Sequence, residues 1–473
     1  MNTPNLKEAK VRNKTEVKII KDDYSIPESL KNIGLNKKYF IKTYGCQMNE
    51  HDSENMKAIL EDMGYTEIDV MENADIILLN TCAIRENAHN KVFGMVGRIK
   101  HLKEEKPHVV AGLCGCMAQE ENVIKEIKSK YKHLDMVFGT HNIHKLPYIL
   151  EDALRYKEMQ IEVFSKEGDI YENIPVKRDS KYKAYINIML GCDKFCTYCI
   201  VPYTRGKQRS RLKEDIINEV NDLIKDGYKE VTLLGQNVNA YGKDLNMNYN
   251  MENLLEDVAK TGIERIRFVT SHPWDFTDEM IDVIAKYDNV MPYIHLPLQS
   301  GSSRILKLMG RRYTSLDYLT LYNKLKTKIK NVSITTDIIV GFPGETDEDF
   351  EETIDMVNKC KFDGAFTFLF SKREGTPAAL MEDNISLDTK NSRLYRLNEI
   401  VNKYSNEANS KYINEVVPVL VESVSYKDDS LLVGYTDTMK LVNVKGDKTD
   451  IGKIINVKIT DVKTWSLNGV KED

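Results

Sequence analysis

Three cysteines lie close together near the middle of the chain, in the run Leu190-Gly-Cys-Asp-Lys-Phe-Cys-Thr-Tyr-Cys-Ile200. The thiols of Cys192, Cys196 and Cys199 have the spacing C-x3-C-x2-C, with no fourth cysteine nearby. Thiolates are the usual ligands of iron–sulfur clusters, and a cubane has four irons, so three ligands leave one iron open to a substrate. A structural zinc site, which normally has four protein ligands, is the alternative.

The bulk composition limits the class of protein. The chain has 473 residues, and 29% of them are charged, with a net charge of -5. This length predicts about two to four domains, and the net charge argues against a generally basic nucleic-acid binder. No run of about 18 apolar residues occurs, so we expect no membrane span. The polar N-terminus does not resemble a signal peptide, so we expect a cytoplasmic protein whose cysteines are ligands or free thiols.

The first third of the chain alternates strands and helices. Apolar runs predict strands at Lys38–Tyr44, Ala74–Asn80 and Val109–Leu113, and a helical pattern follows each of them. This alternation predicts a small doubly wound α/β domain. Residues 1–37 are polar and lysine-rich, which predicts a flexible arm before the first strand.

A cysteine follows each of these three strands, namely Cys46, Cys82 and Cys116. Ligands of open α/β sheets bind outside the carboxyl ends of the strands, so the three thiols could converge on a metal at one edge. Buried, unliganded thiols are the alternative that the residues alone leave open. Cys114, just before Cys116, is an ambiguous ligand.

A second alternating pattern occupies the middle of the chain. It predicts strands at 184–190, 230–234, 265–270, 290–296, 333–340 and 364–370. About six βα units predict a full or partial parallel barrel, whose functional groups lie at the carboxyl ends of its strands. From about Lys411, four short strands with turns between them predict a small antiparallel barrel. Such a barrel could bind nucleic acid or be purely structural.

The runs around the cysteines resemble the radical S-adenosylmethionine (SAM) methylthiotransferases. The matching runs are Thr43-Tyr-Gly-Cys-Gln-Met-Asn49, Asn80-Thr-Cys-Ala-Ile-Arg-Glu-Asn-Ala88, Gly115-Cys-Met-Ala-Gln119 and Gly191-Cys-Asp-Lys-Phe-Cys-Thr-Tyr-Cys-Ile-Val-Pro-Tyr-Thr-Arg-Gly206. The resemblance implies an N-terminal cluster domain, a radical SAM barrel and a C-terminal TRAM barrel. The implied boundaries are 1–37 for the arm, 38–155 for the cluster domain, 156–177 for a connector, 178–408 for the radical SAM core and 411–473 for the TRAM domain.

The same resemblance implies a tRNA-modifying enzyme. The runs Leu233-Leu-Gly-Gln-Asn-Val-Asn-Ala-Tyr-Gly242 and Ile200-Val-Pro-Tyr-Thr-Arg-Gly-Lys-Gln-Arg-Ser-Arg211 look like one subclass of the family. That subclass adds a methylthio group to carbon 2 of N6-isopentenyladenosine at tRNA position 37. The same chemistry on threonylcarbamoyladenosine-37 is the nearest alternative, and another subclass modifies an aspartate of a ribosomal protein. A non-enzymatic iron–sulfur or RNA-binding protein is the alternative from a different class.

The cofactors that the resemblance implies are two [4Fe–4S] clusters and SAM. The cluster on Cys192, Cys196 and Cys199 would cleave SAM to the radical that removes hydrogen from the base. A second cluster would hold or supply the sulfur, which another SAM methylates; its ligands would be Cys46, Cys82 and Cys116. Candidates for SAM contact lie at the ends of barrel strands, where a simple loop hydrogen bond is the alternative role. These candidates are Gly235, Gln236, Asn237, Ser271, Gln299 and Gly341.

Basic residues beyond the cysteine loop are candidates for binding RNA phosphates. Arg205, Lys207, Arg209 and Arg211 alternate along the chain, and on an extended segment they would share one face; Arg311 is a further candidate. A solvated charge run is the alternative. The implied partners are the tRNA anticodon stem-loop and an external one-electron reductant of the flavodoxin or ferredoxin type. The protein itself is expected to be a monomer.

Overall fold

The structure is a computed structural model that describes residues 19–20, 24–83, 86–156, 158–163, 169–245 and 247–472. Its strands are β1 Ile19–Ile20, β2 Lys38–Tyr44, β3 Thr66–Glu67, β4 Ile76–Thr81, β5 Val110–Gly115, β6 Met136–Phe138, β7 Gln160–Glu162, β8 Ile170–Tyr171, β9 Lys183–Asn187, β10 Met189–Leu190, β11 Arg209–Ser210, β12 Glu230–Leu234, β13 Arg265–Phe268, β14 Tyr293–His295, β15 Ser333–Val340, β16 Gly364–Leu369, β17 Val416–Val424, β18 Leu432–Thr436, β19 Leu441–Lys445, β20 Ile454–Val462 and β21 Leu467–Lys471.

The α-helices are α1 Gln47–Asp62, α2 Glu86–Glu105, α3 Glu121–Lys130, α4 Leu146–Tyr156, α5 Val201–Thr204, α6 Lys213–Lys225, α7 Met251–Lys260, α8 Asp278–Lys286, α9 Ser303–Leu308, α10 Ser315–Lys328, α11 Asp347–Cys360 and α12 Leu387–Ser410. Within the described ranges, no helix is both long and apolar enough to cross a membrane.

The chain forms two compact units. The N-terminal unit consists of Met1–Asp179, Asn187–Phe195 and Cys199–Asp215, and the C-terminal unit consists of Ser180–Ile186, Cys196–Tyr198 and Ile216–Asp473. The N-terminal unit therefore includes two segments that follow the first domain in the sequence. The second of these segments contains Arg205 and leads directly out of the cysteine loop.

A six-stranded sheet forms the centre of the N-terminal unit, in the order β3-β2-β4-β5-β6-β7. All five neighbouring pairs in it are parallel. The chain first builds outward from β2 to β3 and then returns to the other side of β2 with β4. This reversal is the topological switch point of a doubly wound sheet, so the predicted architecture of this domain is confirmed.

Helices cover both faces of this sheet. Ile76 and Leu78 of β4 pack into one apolar core together with residues of α1 and α4. Ile77 and Leu79, which alternate with them, pack into the opposite core with residues of α2 and α3. Since both faces are buried, every residue of β4 is buried, as expected for a central parallel strand.

The predicted flexible arm is wrong for the part of it that the structure describes beyond residue 23. Ile26 and Leu30 are buried in the same core as α1, and Tyr24 packs against that core. Residues 1–18 and 21–23 of the arm lie outside the described residues. The predicted connector also contributes structure, because its Gln160–Glu162 forms the sixth strand of the sheet.

The C-terminal unit begins with six parallel-barrel strands in two sheets of three, ordered β13-β12-β9 and β14-β15-β16. Ile266 of β13 pairs in parallel with Val290, just before β14, and this pairing joins the two sheets. All six predicted strands are present, so the partial barrel is confirmed. The smaller barrel at the end of the chain is closed by five strands in the order β17-β18-β19-β21-β20. The fifth strand, β21, was not predicted, because its run Leu467-Asn-Gly-Val-Lys471 has only two apolar residues.

Glu54 of α1 is buried in the N-terminal unit, and this burial predicts a pH-dependent stability. Burial raises the pKa of Glu54 to about 7, while the backbone N–H of Asp179 and the charge of Arg178 oppose the rise. Because the pKa of Glu54 is higher in the folded chain than in the unfolded chain, where it is about 4.5, its protonated form stabilises the fold. This stabilisation is fully present below about pH 4.5 and is lost as the pH rises through about 7.

We therefore expect Glu54→Gln to be more stable than the unmodified chain at pH 8, by up to about 2–3 kcal/mol, with the difference shrinking towards pH 5. Thermal unfolding scans across this pH range measure it. The matched control is Glu28→Gln, since the Glu28 side chain is largely exposed. Parallel curves for Glu54→Gln and the unmodified chain would contradict the prediction.

Candidate metal centre and substrate site

Cys46, Cys82 and Cys116 lie at one edge of the N-terminal sheet. They follow β2, β4 and β5, which are neighbours, and Tyr44, Thr81 and Gly115 occupy one row across these strands. The backbone N–H of Cys82 donates to the carbonyl of Tyr44 at 2.9 Å, which continues the row by one step. The switch point between β2 and β4 lies at this edge. The structure thus brings the three cysteines together where ligands of such sheets bind.

Gly115 turns the chain so that Cys116 leaves the sheet. Its φ is +94°, and a Cβ there would lie 2.6 Å from the carbonyl oxygen of Thr81 and 2.3 Å from Oδ1 of Asn80. Cys116 then begins a short 3-10 helix. Cys114 does not share this position, because its sulfur packs 3.7 Å from Sδ of Met56 in the core beneath α1. Cys116 therefore lies beyond the end of β5, whereas Cys114 lies in the core.

Two asparagines, which the sequence analysis did not single out, hold the loop of Cys46. Asn49 Oδ1 accepts from the Cys46 thiol at 3.3 Å, and Asn49 Nδ2 donates to Asn80 Oδ1 at 3.1 Å. Asn80 Nδ2 in turn donates to the Asn49 carbonyl at 2.7 Å and to Ser53 Oγ at 2.9 Å. Cys46 is the N-cap of α1. Both asparagines stand inside the family-like runs, which was the available signal.

The three thiols influence one another electrostatically. Burial raises the pKa of Cys116 to about 12; the guanidinium of Arg205 opposes this rise, whereas the nearby thiols of Cys82 and Cys46 add to it. Arg205 Nε donates to the sulfur of Cys116 at 3.1 Å, and Arg205 Nη2 donates to Asp52 Oδ2 at 2.6 Å. Burial also raises the pKa of Asp52, against the effect of Arg205. A cation therefore lies directly against one of the three sulfurs.

The arginines beyond the cysteine loop do not share one exposed face, and their role in RNA contact stays a prediction. Arg205 and Arg209 are buried, and Arg209 Nη2 donates to the carbonyl of Arg205 at 2.8 Å. Arg211 forms a bidentate ion pair with the carboxylate of Glu172. Arg205 directly follows α5, and Gly206 turns the chain with a φ of +75° before Arg209–Ser210 forms β11, so the four basic residues do not lie on one continuous extended segment.

Two basic candidates remain to be placed. Lys207 is half-buried, and its role in RNA contact stays a prediction. Arg311 is buried in the C-terminal unit, where Nε donates to the hydroxyl of Tyr313 at 2.9 Å and Nη2 to the carbonyl of Pro297 at 3.0 Å. Its Nη1 lies 3.6 Å from the sulfur of Cys196. A phosphate-binding role for Arg311 stays a prediction.

Backbone hydrogen bonds fix the cysteine loop within each unit. In the N-terminal unit, the N–H of Cys192 donates to the carbonyl of Gly206 at 3.1 Å. Gly191 beside it has a φ of +74°, and a Cβ there would lie 1.9 Å from the carbonyl oxygen of Lys207. In the C-terminal unit, Thr197 donates from its N–H to Met309 and from its hydroxyl to Leu308, both at 2.9 Å. The sequence between the thiols thus serves to anchor the loop.

The candidates for SAM contact lie at the ends of barrel strands, as expected from the strand positions. Gly235 and Gln236 directly follow β12, and Asn237 is buried after them, with Nδ2 donating to Asp275 at 2.7 Å. Ser271 is buried just after β13. Oδ1 of Asn237 and Oγ of Ser271 lack a hydrogen-bond partner among the described residues. Buried polar atoms without partners are costly, so both atoms fit a polar ligand at this edge.

The remaining two candidates have structural roles in the barrel. Gln299 has a φ of +70°; its N–H donates to Asp337 and its carbonyl accepts from Ile339, which extends the sheet by one bridge. Gly341 donates its N–H to Glu345, and a Cβ there would lie 2.6 Å from the Lys390 side chain. The space that the missing side chain leaves at Gly341 is therefore used by Lys390.

An exposed aromatic face on β16 was missed by the sequence analysis. Phe366 is 57% exposed and Phe368 is 45% exposed, and they point to the same side of the strand. Across the sheet they pair with Asp337 and Ile339, respectively, and the Phe366 ring lies edge-on to His295, with 6.0 Å between the centroids. The alternation Phe366-Thr367-Phe368 in a predicted strand was the sequence signal that could have indicated this face.

The donor set of both candidate sites consists of cysteine thiols. All eight cysteines of the chain are free thiols. Thiolates are the usual ligands of iron–sulfur clusters, and each thiolate of a cubane binds a different iron at a different corner. Three thiols at neighbouring strand ends therefore fit such a cluster.

Family models match three parts of the chain. The "Uncharacterized protein family UPF0004" covers residues 38–139, the "Radical SAM superfamily" covers 186–357 and the "TRAM domain" covers 410–471. The first contains the three strand-end cysteines, and the second begins just before the C-x3-C-x2-C loop. These matches define the class as a radical SAM protein with an N-terminal UPF0004 domain and a C-terminal TRAM domain.

Curated relatives match the chain over nearly its full length. The tRNA-2-methylthio-N(6)-dimethylallyladenosine synthase of Halalkalibacterium halodurans is 58% identical, over 98% of this chain and 87% of its own. The enzyme of the same name from Staphylococcus saprophyticus is 57% identical, over 98% and 91%. The chain belongs to the tRNA-2-methylthio-N(6)-dimethylallyladenosine synthase family.

A solved structure supports the fold. The radical SAM methyltransferase TsrM from Kitasatospora setae, with cobalamin and a [4Fe–4S] cluster bound, matches with a TM-score of 0.50 and 13% identity. The match covers 73% of this chain and 77% of TsrM. At this identity, the similarity concerns the fold alone.

The turn at Gly115 predicts a selective effect on metal content. We expect Gly115→Ala to displace Cys116 from the sheet edge, because its Cβ would overlap the Thr81 backbone. After anaerobic reconstitution, iron should fall from about eight per chain towards about four, as measured by iron and sulfide analysis. Gly97→Ala, where a Cβ meets nothing within 4 Å, is the control and should bind iron normally. Full iron binding by Gly115→Ala would contradict the assignment.

Proposed function

We infer that the protein adds a methylthio group to carbon 2 of N6-isopentenyladenosine at position 37 of tRNA. The observation that carries this conclusion is the 58% identity to a synthase of that base over 98% of the chain. The radical SAM, UPF0004 and TRAM matches agree with it, since they cover three different segments of the chain that together make up this enzyme. The enzyme uses two [4Fe–4S] clusters and SAM.

We assign one cluster to Cys46, Cys82 and Cys116 and the other to Cys192, Cys196 and Cys199. When bound, the clusters and SAM supply the one-electron chemistry, the sulfur and the methyl group. Each cluster has three protein ligands in this assignment, which leaves one iron open. The position of the first three thiols at the switch point of the sheet supports their part of the assignment.

The chain's own residues position these groups. Asn49 and Asn80 hold the loop of Cys46, and the turn at Gly115 directs Cys116. The unpartnered oxygens of Asn237 and Ser271 are available to polar groups of SAM at the ends of β12 and β13. Rigid support of this kind keeps reactive groups within the narrow range of geometry that a reaction needs.

The exposed aromatic face supports the isopentenyl substrate over threonylcarbamoyladenosine. Phe366 and Phe368 offer an apolar, flat surface to a base and its five-carbon tail. Threonylcarbamoyladenosine instead carries a carboxylate, which phenylalanine cannot hydrogen-bond. The carboxylate of Asp337, directly across from Phe366, would repel it.

We propose that the anticodon stem-loop is the RNA element bound, with the TRAM domain and Lys207 contributing to its binding. Unstacked loop bases can enter a pocket, whereas bases inside a duplex cannot. The tRNA substrate and the free thiols support a cytoplasmic location. An external one-electron reductant of flavodoxin or ferredoxin type supplies electrons, and we propose a monomer.

Mass spectrometry of tRNA nucleosides tests the function. The reconstituted, reduced protein is incubated anaerobically with SAM and tRNA bearing N6-isopentenyladenosine, and we expect 2-methylthio-N6-isopentenyladenosine to form. Matched reactions use unmodified tRNA and tRNA bearing threonylcarbamoyladenosine, and neither should give product. Product from the threonylcarbamoyladenosine tRNA alone would move the protein to the rival activity. SAM cleavage with no product from any tRNA would contradict the proposed acceptor.

Truncation of Phe366 should weaken recognition of the isopentenyl group. We expect Phe366→Ala to raise the Kd for an isopentenyl anticodon stem-loop by about tenfold, the effect of removing one base–aromatic contact. The Kd of the unmodified stem-loop should change less, so the ratio of the two Kd values should shrink. Fluorescence anisotropy with the reconstituted protein measures both.

Tyr156→Ala is the matched control, because Tyr156 is an exposed aromatic residue of the N-terminal unit with 56% exposure. It should leave both Kd values unchanged. An unaltered ratio in Phe366→Ala would exclude this face from substrate recognition. That result would leave the methylthiolation itself standing.

A further inference from the structure

A buried ion pair touches one of the proposed cluster ligands. Arg205 is 4% exposed and Asp52 is 6% exposed, and they form an ion pair at 2.6 Å. Arg205 also donates, through Nε, to the sulfur of Cys116 at 3.1 Å. One planar group thus joins a carboxylate and a thiol that are far apart in the sequence.

Other hydrogen bonds also hold the segment that carries Arg205. The N–H of Arg205 is bonded to the carbonyl of Val201, and the carbonyl of Arg205 accepts from Arg209 Nη2 at 2.8 Å. Gln119 Nε2 donates to the carbonyl of Thr204 at 3.3 Å. Buried ion pairs are costly to desolvate and give little net stability compared with apolar residues. The guanidinium therefore calls for a role beyond packing.

A similar contact recurs at another proposed ligand. In the C-terminal unit, Arg311 Nη1 lies 3.6 Å from the sulfur of Cys196. The other hydrogen bonds of Arg311 go to the hydroxyl of Tyr313 and the carbonyl of Pro297, which are uncharged acceptors. Arg205 differs in that a carboxylate balances its charge.

We propose that Arg205, held by Asp52, is a positioning residue that sets the reduction potential of the cluster on Cys46, Cys82 and Cys116. The inference rests on the cysteine assignment made under the proposed function. Reduction adds one negative charge to a cluster. A permanent cation with an N–H directed at a ligand sulfur stabilises that charge and raises the potential. Asp52 both orients the guanidinium and offsets part of its field.

This arrangement makes the two partners act in opposite directions. Removing the charge of Arg205 leaves the carboxylate near the cluster, which disfavours reduction and lowers the potential. Removing the charge of Asp52 leaves the cation unbalanced, which favours reduction and raises the potential. A pair that served only to stabilise the fold would produce no such opposition, since loss of either partner would loosen the same contact.

The test is a redox titration of the full-length chain, monitored by electron paramagnetic resonance. The chain carries Cys192→Ala, Cys196→Ala and Cys199→Ala, so that only the cluster on Cys46, Cys82 and Cys116 gives a signal. In this background, we expect Arg205→Gln to shift the midpoint potential to a more negative value and Asp52→Asn to shift it to a more positive one. The Arg205→Gln/Asp52→Asn double variant should lie between them. Iron per chain should stay at the background level.

Arg205→Lys is a second, conservative variant that guards against misfolding. It keeps the charge but loses the two fixed N–H directions of the guanidinium, so we expect a smaller negative shift than with Arg205→Gln. The matched control is Arg211→Gln, which breaks the ion pair with Glu172 in the same segment. It should leave the midpoint unchanged.

Equal midpoints for the Arg205 and Asp52 variants, or shifts in the same direction, would overturn the proposal. Loss of iron in the Arg205 and Asp52 variants without a shift in the remaining cluster would also overturn it, in favour of a purely structural pair. Failure of the triple-alanine background itself to bind a cluster would refute the cysteine assignment together with this inference. Product formation by the unmodified enzyme is measured separately, so the reaction can stand whichever result is obtained.

Discussion

The parallel register of β2, β4 and β5 is the constraint on which the N-terminal site depends. Neighbouring strands lie about 4.8 Å apart, so residues that follow one row of the sheet begin within a short distance of each other. Tyr44, Thr81 and Gly115 share such a row. A slip of one residue would turn each strand's side chains to the opposite face, and the burial of both faces by helices prevents it.

The strand register places the loop of Cys46 only approximately, and a network of polar hydrogen bonds at this edge fixes its conformation. Asn49 and Asn80 are fully buried and bond to each other twice, once through side chains and once through a carbonyl. Buried amides are tolerated only when they are satisfied, so the network favours one conformation of the loop strongly. The site therefore combines apolar packing, which sets the strand positions, with a few polar bonds that orient the side chains.

The sequence predicts those features that depend on local pattern. The strand β2 and the cysteines after β2, β4 and β5 were predictable because apolar runs mark buried strands and the motifs mark their ends. The burial of Arg205 was not predictable from the sequence, because its partner Asp52 lies 153 residues away in the chain and no periodicity links the two residues. The burial of Ile26 and Leu30 was hidden for a similar reason, since their polar surroundings dominate the composition of the arm.

The inclusion of Cys199–Asp215 in the N-terminal unit has a consequence for biosynthesis. Chains are made from the N-terminus, and domains tend to fold as they emerge from the ribosome. The six-stranded sheet is complete in sequence by Glu162, yet Arg205 and the residues that pack on Cys116 are translated later. The nascent sheet therefore carries its three thiols for a time without their cation. Delivery of the proposed cluster to this edge then belongs to a late stage of synthesis, after the second cysteine triad has already been made.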